Sequence, residues 1–138
     1  VYKRQLSCGD WCEQGLPHYA GNLTYETTLA DLPPAGRISV NVPEWRGVAL
    51  GISVNGGDEI FLPWPPYKAD ITAQLRRDGR DSVAIKVYGH RRNAFGPFYL
   101  KEKWPQWTGP AQFKMYDVTE RQLVPCGLIG APVLETDQ

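Results

Sequence analysis

Apolar and polar residues alternate with a period of two along several short stretches of this chain. The clearest stretches run over residues 37–42, 47–54 and 82–87, in which the apolar side chains are Ile38, Val40 and Val42, then Val48, Leu50, Ile52 and Val54, then Val83, Ile85 and Val87. Because successive side chains of a strand point to opposite faces of a sheet, the pattern predicts three half-buried strands. The spacing of apolar residues predicts further strands at His18–Leu29, at Ile60–Leu62 and around Phe113 and Met115.

A tight hairpin is predicted after the strand that ends at Val54. The next residues are Asn55, Gly56 and Gly57, and these residue types tolerate the positive φ that such a turn requires. The opposite face of the same strand carries only small residues: Gly47, Ala49, Gly51 and Ser53. We therefore expect another part of the chain to pack closely against that face.

One segment has helical character. Asp70 can cap it, Ile71 and Leu75 lie four residues apart, and Gly79 ends it after barely two turns. The chain has 12 prolines and 14 glycines between its short strands, and it has no long amphipathic helix of the kind that a βαβ fold needs. The sequence therefore predicts an all-β sandwich with one short helix.

The chain has 138 residues, no internal repeat and no low-complexity linker, so residues 1–138 are predicted to form a single domain. Its start at Val1, directly within a polar segment, suggests a piece excised from a larger protein. Lys and Arg together number 15, as do Asp and Glu. This balance removes the overall attraction to phosphates, so no nucleic-acid partner is expected. No apolar run approaches the ~20 residues that cross a bilayer, so no membrane partner is expected.

Three cysteines, Cys8, Cys12 and Cys126, cannot all pair with one another. No second Cys or His pair stands at metal-ligand spacing, so a zinc site is not expected. Free buried thiols are favoured, although a disulfide between two of the three stays open.

The acidic residues give little sign of catalysis. Hydrolysis of a glycosidic bond needs two carboxylates about 5–10 Å apart across a cleft. The candidate pairs, Asp10 with Glu13 and Asp58 with Glu59, fall in turn-like segments where acidic residues ordinarily face solvent. Catalysis by this chain alone is therefore not expected.

Five segments in order give the chain a family resemblance: QGLPHYAGNLTY, VALGISVNGG, LPWPPYKADITAQL, SVAIKVYGHRRNAFGPF and LVPCGLIGAPVL. The set, spanning Trp11 to Leu134, resembles the C-terminal accessory domain of large bacterial glycoside hydrolases. It is similar to the galactose-binding-like jelly rolls of β-galactosidase-like and rhamnosidase-like enzymes.

The resemblance implies a jelly-roll β-sandwich that does no chemistry itself and braces a catalytic domain of the same parent chain, with an oligosaccharide as a further partner. An autonomous carbohydrate-binding module is the alternative, and a stand-alone glycosidase is a third, disfavoured one. The resemblance also implies an extracytoplasmic location and no cofactor, except that such domains can hold a structural calcium ion through backbone carbonyls. The carbohydrate-binding candidates are Trp64, Tyr67, Arg92, Asn93, Trp104 and Trp107.

Each candidate also has a structural interpretation. Indole rings stack on the apolar faces of sugars, but for Trp64 the favoured interpretation is a plug at an open end of the sandwich. For Trp104 and Trp107, a sugar platform, an interdomain contact and a core plug stay open. Arg92 and Asn93 offer the donors and acceptors that recognise neighbouring hydroxyls. The favoured interpretation is a structural lock, in which they bind backbone carbonyls of a buried loop and Asp70 accepts from Arg91 or Arg92.

Overall fold

A computed structural model of the chain describes residues 6–94 and 123–137. Within those residues the protein is all-β, with seven strands: β1 (Asn22–Leu29), β2 (Arg37–Asn41), β3 (Ala49–Val54), β4 (Ile60–Leu62), β5 (Lys68–Asp70), β6 (Asp81–Tyr88) and β7 (Val133–Asp137). They form two antiparallel sheets, with strand orders β1-β6-β3-β4 and β5-β2-β7. This arrangement is consistent with a β-sandwich and confirms the predicted all-β class.

The core contains the apolar side chains at alternate positions of the strands. Leu50, Ile52 and Val54 of β3 lie beside Val83, Ile85 and Val87 of β6, and all six are buried. Ile38 and Val40 of β2 belong to the same buried cluster. The two sheets therefore share one apolar core, which stabilises the pairing because removing apolar surface from water is favourable.

The predicted tight turn at Asn55 is present, but the hairpin is wider than predicted, because β3 ends at Val54 and β4 begins only at Ile60. Asn55 and Gly56 both adopt positive φ, at 54° and 70°, and the Gly57 amide donates to the Val54 carbonyl at 2.9 Å. Two positive φ values in succession are typical of a type I′ turn, whose twist matches that of the strands it joins. Beyond this turn β4 returns beside β3, with Ile60 opposite Ile52.

The small-residue face of β3 is covered, as expected. A Cβ atom on Gly51 would stand 2.4 Å from the carboxyl carbon of Glu59, so the Glu59 side chain occupies the space that Gly51 leaves. Glu59 accepts a hydrogen bond from the Tyr88 hydroxyl at 2.5 Å and pairs with Lys86 at 3.4 Å. Phe61 meets the Tyr88 ring edge to face on the same side of the sheet.

The predicted helix is shorter than the sequence indicated. A single 3-10 turn, Thr72–Gln74, replaces the two turns expected between Asp70 and Gly79. The N-cap residue is Ile71 and not Asp70, and no side chain caps the turn. The Asp70 carboxylate instead accepts from the Thr72 amide and hydroxyl, two residues further on. The turn ends because the next amides, of Arg76 and Arg77, donate to the buried Asp81 carboxylate instead of to helical carbonyls.

Other differences concern the limits of strands. β1 begins at Asn22 and not at His18, and Val48 lies outside β3 with 63% of its surface exposed. The sequence did not predict β5 or β7, while the strand expected around Phe113 and Met115 lies outside the described residues. Cys8, Cys12 and Cys126 are free thiols, as predicted, but only Cys126 is buried: Cys12 is partly buried and Cys8 is exposed.

Candidate functional site

A shallow groove lies beside the start of β3, between the connection from β2 to β3 and the connection from β4 to β5. Its volume is about 290 Å³, and its lining residues are Pro43, Trp45, Arg46, Gly47, Val48 and Tyr67. That volume is near the lower end of the range for small-molecule sites. The groove is therefore the right size for a small ligand or for one end of a longer one.

Two aromatic rings give the groove its apolar wall. Trp45 and Tyr67 meet edge to face, with ring centroids 4.8 Å apart and planes at 83°. Trp45 is buried, and the partly buried Tyr67 packs against the core. The Val42 amide donates to the Tyr67 carbonyl at 2.9 Å, so the two connections that carry these rings are tied together.

Arg46 supplies the charge of the groove. Its amide donates to the Gly127 carbonyl and its carbonyl accepts from the Gly127 amide, both at 2.8 Å. Its Nη1 donates to the Trp45 carbonyl at 2.9 Å. These contacts hold the residue in place at the groove while its side chain stays exposed.

Trp64 stands in the same connection as Tyr67 and is 74% exposed. Leu62 of β4 pairs with Leu50 of β3 in antiparallel register. Trp64 comes two residues after Leu62, and Val48 comes two residues before Leu50. Trp64 and Val48 therefore lie at the same end of the β3–β4 pair. The exposure of Trp64 does not fit a plug of the core, and it leaves a large apolar ring in solvent near the groove.

Asn93 is part of a structural lock. The side chain is 2% exposed; its Nδ2 donates to the Val124 carbonyl at 2.7 Å and its Oδ1 accepts from the Val124 amide at 2.9 Å. The same amide nitrogen also contacts the Cys12 thiol, and the Asn93 carbonyl contacts His18. The amide therefore imitates a strand partner for Val124.

The remaining candidates are less informative. Arg92 is exposed at the segment that follows β6, and Trp104 and Trp107 lie outside the described residues. The structure thus places Tyr67 in the groove and Trp64 in the adjoining loop, while Asn93 is not among the groove residues. Sequence reasoning missed Arg46 and Val48, although Trp45-Arg46-Gly47 between two predicted strands was a usable signal.

A second groove, of about 320 Å³, lies on the outer face of the β5-β2-β7 sheet and is lined by Arg37, Ser39, Pro66, Lys68, Asp70 and Asp137. Its charges are largely paired within the protein. Arg37 pairs with Asp70 at 2.6 Å and Lys68 pairs with Glu135 at 2.5 Å. From the sequence, Asp70 was a candidate acceptor for Arg91 or Arg92, but in the structure Asp70 pairs with Arg37.

Hydrogen bonds lower the pKa of three carboxyl groups. The Thr72 hydroxyl and amide, together with Arg37, bring the pKa of Asp70 to about 2. The Arg76 amide and the Asn55 side chain lower the pKa of Asp81, and Lys68 with Asn41 lowers that of Glu135. Each group is thus stabilised in its charged form in the folded protein.

We expect the free energy of unfolding to fall as the pH drops below about 4. A lowered folded-state pKa adds stability that is complete above the unfolded-state pKa of about 4 and is lost as the pH falls through the folded-state value. Urea unfolding between about pH 7 and about pH 3 measures this loss. Asp81→Asn should remove part of the pH dependence, and an unchanged slope in that variant would contradict the assignment.

Cys12 and Cys126 are poor nucleophiles at neutral pH. Burial, followed by the nearby Asp10 carboxylate, raises the pKa of Cys12 to about 12, and burial raises the pKa of Cys126. Asp10 itself accepts from the Cys12 and Cys126 amides, both at 3.0 Å. Because the thiolate is the reactive form, neither of these two thiols is poised to react at neutral pH.

Among the described residues no group of three or more His, Cys, Asp or Glu side chains could hold a metal ion. No helix in the described part is long and apolar enough to cross a membrane. No protein-family model and no curated protein matches the chain. The fold defines an all-β domain of two antiparallel sheets, and its function is inferred from the groove.

Proposed function

We propose that this chain is a non-catalytic accessory domain of a glycoside hydrolase, and that it binds carbohydrate in the groove beside Tyr67. The proposal combines the family resemblance with one structural observation. An arginine and two aromatic rings line an open groove of about 290 Å³. Aromatic walls with a few polar donors are typical of small-ligand sites and suit the apolar faces and hydroxyls of sugars.

The arrangement of the groove supports binding more than catalysis. Its lining residues include no carboxylate, whereas glycosidases ordinarily need two. The Arg46 guanidinium can donate to sugar oxygens, and the exposed Trp64 ring adds apolar surface at the same end of the sheet. No residue of the chain is assigned a catalytic role.

The domain also braces a catalytic domain of the same parent chain in this proposal. Val48, Phe61 and Trp64 expose 63%, 54% and 74% of their surface, and they lie on β4 or beside the ends of the β3–β4 pair. Exposed apolar side chains grouped in this way are common where proteins meet. We further propose a jelly-roll connection of the two sheets and an extracytoplasmic location.

Titration with oligosaccharides tests the binding proposal, since Trp45 lies in the groove and serves as a fluorescent reporter. We expect a saturable change in tryptophan fluorescence with at least one of a set of galacto-, rhamno- and gluco-configured oligosaccharides. Val48→Asp, which places a hydrated charge on the apolar wall, should weaken binding by about tenfold or more, equal to about 1.4 kcal/mol.

Val133→Asp is the matched control, because Val133 is also exposed but lies on β7 and outside the groove. It should leave the affinity unchanged. Traces that stay flat across the whole sugar set would overturn carbohydrate binding. An equal loss of affinity in both valine variants would show that the sugar does not bind in the groove.

A further inference from the structure

The charges of the two grooves differ in a way that points to a ligand. In the groove on the β5-β2-β7 sheet, Arg37 and Lys68 each pair with a carboxylate of the protein. In the groove beside Tyr67, Arg46 is the one charged side chain among the lining residues. Within the described residues Arg46 has no acidic partner, since the salt bridges there join other residues.

The nearest acidic residue along the chain does not neutralise Arg46. Glu44 accepts a hydrogen bond from the Gly130 amide through its carbonyl, and its carboxylate lies over Gly130, 2.9 Å from where a Cβ atom would be. Among the described residues the groove therefore carries a net positive charge beside an apolar aromatic wall. A low-dielectric wall strengthens the attraction of such a charge for an anion.

The position of Arg46 suits recognition of a planar anion. Its backbone is held by the paired hydrogen bonds to Gly127. One guanidinium nitrogen, Nη1, donates a hydrogen bond to the Trp45 carbonyl. The other guanidinium donors have no acceptor among the described residues. An arginine fork held in this way matches a carboxylate, which accepts two parallel hydrogen bonds.

We propose that the groove selects a saccharide that carries a carboxylate, such as a uronic acid residue, and that Arg46 binds the carboxylate while the ring lies against Tyr67. This inference rests on the proposed carbohydrate function and names the class of sugar. The volume of about 290 Å³ accommodates an end residue of a chain more readily than an extended polymer.

The test compares sugars that differ only at one carbon: galacturonate with galactose oligomers, and glucuronate with glucose oligomers, measured by calorimetry on the full chain. We expect the acidic sugar to bind about tenfold to about a hundredfold more tightly than its neutral counterpart, as a charge-assisted hydrogen-bonded pair should. Added salt should weaken only the acidic sugar, because it screens the exposed charge.

Two variants and a matched control locate the effect. Arg46→Met keeps the apolar stem and should abolish the preference; Arg46→Lys keeps the charge but not the fork and should retain part of it. Arg80→Met removes an exposed arginine outside the groove and should change nothing. An unchanged amide NMR spectrum away from the groove verifies that each variant is folded.

The outcomes separate this inference from the proposed function. Equal affinity for acidic and neutral sugars, insensitive to Arg46→Met, overturns the inference and leaves carbohydrate binding in place. No binding of either sugar overturns both. A third arm uses sodium acetate alone: if acetate binds at Arg46 as tightly as the uronate, the groove recognises a carboxylate without its sugar, and the saccharide assignment is overturned.

Discussion

Trp11→Ala should lower the free energy of unfolding by about 3–5 kcal/mol, the usual cost of deleting a buried large aromatic side chain. Trp11 is 1% exposed, and its Nε1 donates to the Tyr25 hydroxyl at 2.6 Å. The substitution would leave a cavity and remove the partner of a half-buried hydroxyl. Urea unfolding followed by circular dichroism measures the loss.

The position of Trp11 explains why neighbouring side chains cannot fill that cavity. Cβ atoms on Gly89 and Gly127 would stand 2.9 Å and 2.5 Å from the indole, so both glycines leave space for the ring. Its backbone amide also donates to the Cys126 carbonyl at 2.8 Å. The indole thus joins residues near both ends of the described chain.

Trp64→Ala is the matched control, since it makes the same chemical change at a side chain that is 74% exposed. It should change stability by no more than about 0.5 kcal/mol, as is usual for surface substitutions. A large loss at Trp64, or a small one at Trp11, would show that the ring we place in the core is not there.

Asn93→Asp should destabilise the domain by about 3 kcal/mol or more at neutral pH. The substitution keeps the shape of the side chain but replaces the Nδ2 donor with an oxygen. That oxygen would face the Val124 carbonyl, which now accepts at 2.7 Å. The introduced carboxylate would keep the Val124 amide as a donor to one oxygen, but it would lose hydration and place its other oxygen against a carbonyl. The cost of a buried charge with so little compensation is several kcal/mol.

The pH dependence of this variant distinguishes charge from shape. Burial raises the pKa of the introduced carboxyl group in the folded state, so the charged form is the destabilising one. The loss relative to the wild type should therefore grow as the pH rises above about 4 and shrink as the pH falls. Asn22→Asp, at an exposed position, is the matched control and should be nearly neutral. A loss that is independent of pH would point to the altered hydrogen-bond pattern instead.

Strands with a regular pattern of burial were predictable from sequence. β6 alternates buried and half-buried positions over its whole length, because one face lies on the core, and this is the situation that period-two alternation describes. The turn at Asn55 was predictable for a local reason, since Asn and Gly tolerate the positive φ that it needs.

β5 and β7 were not predictable, because local composition does not favour them. β7 has the sequence VLETD and is mostly exposed, and β5 has three residues with only Ala69 buried. Both strands exist because β2 offers them hydrogen-bond partners on its two edges. The tertiary position of β2, supplied by residues far apart in the chain, overrides weak β-propensity.

The candidate site shows the same division. The sequence by itself determined the strand-forming pattern, the turn at Asn55 and the aromatic composition, because each depends on residue type and short-range geometry. Tertiary structure alone decided that Asn93 turns inward to Val124, that Trp64 faces solvent and that Arg46 lies beside Tyr67 with no acidic partner in the described part of the chain. Those outcomes depend on which distant segments meet, since the same amide or guanidinium binds whichever polar group the fold places next to it.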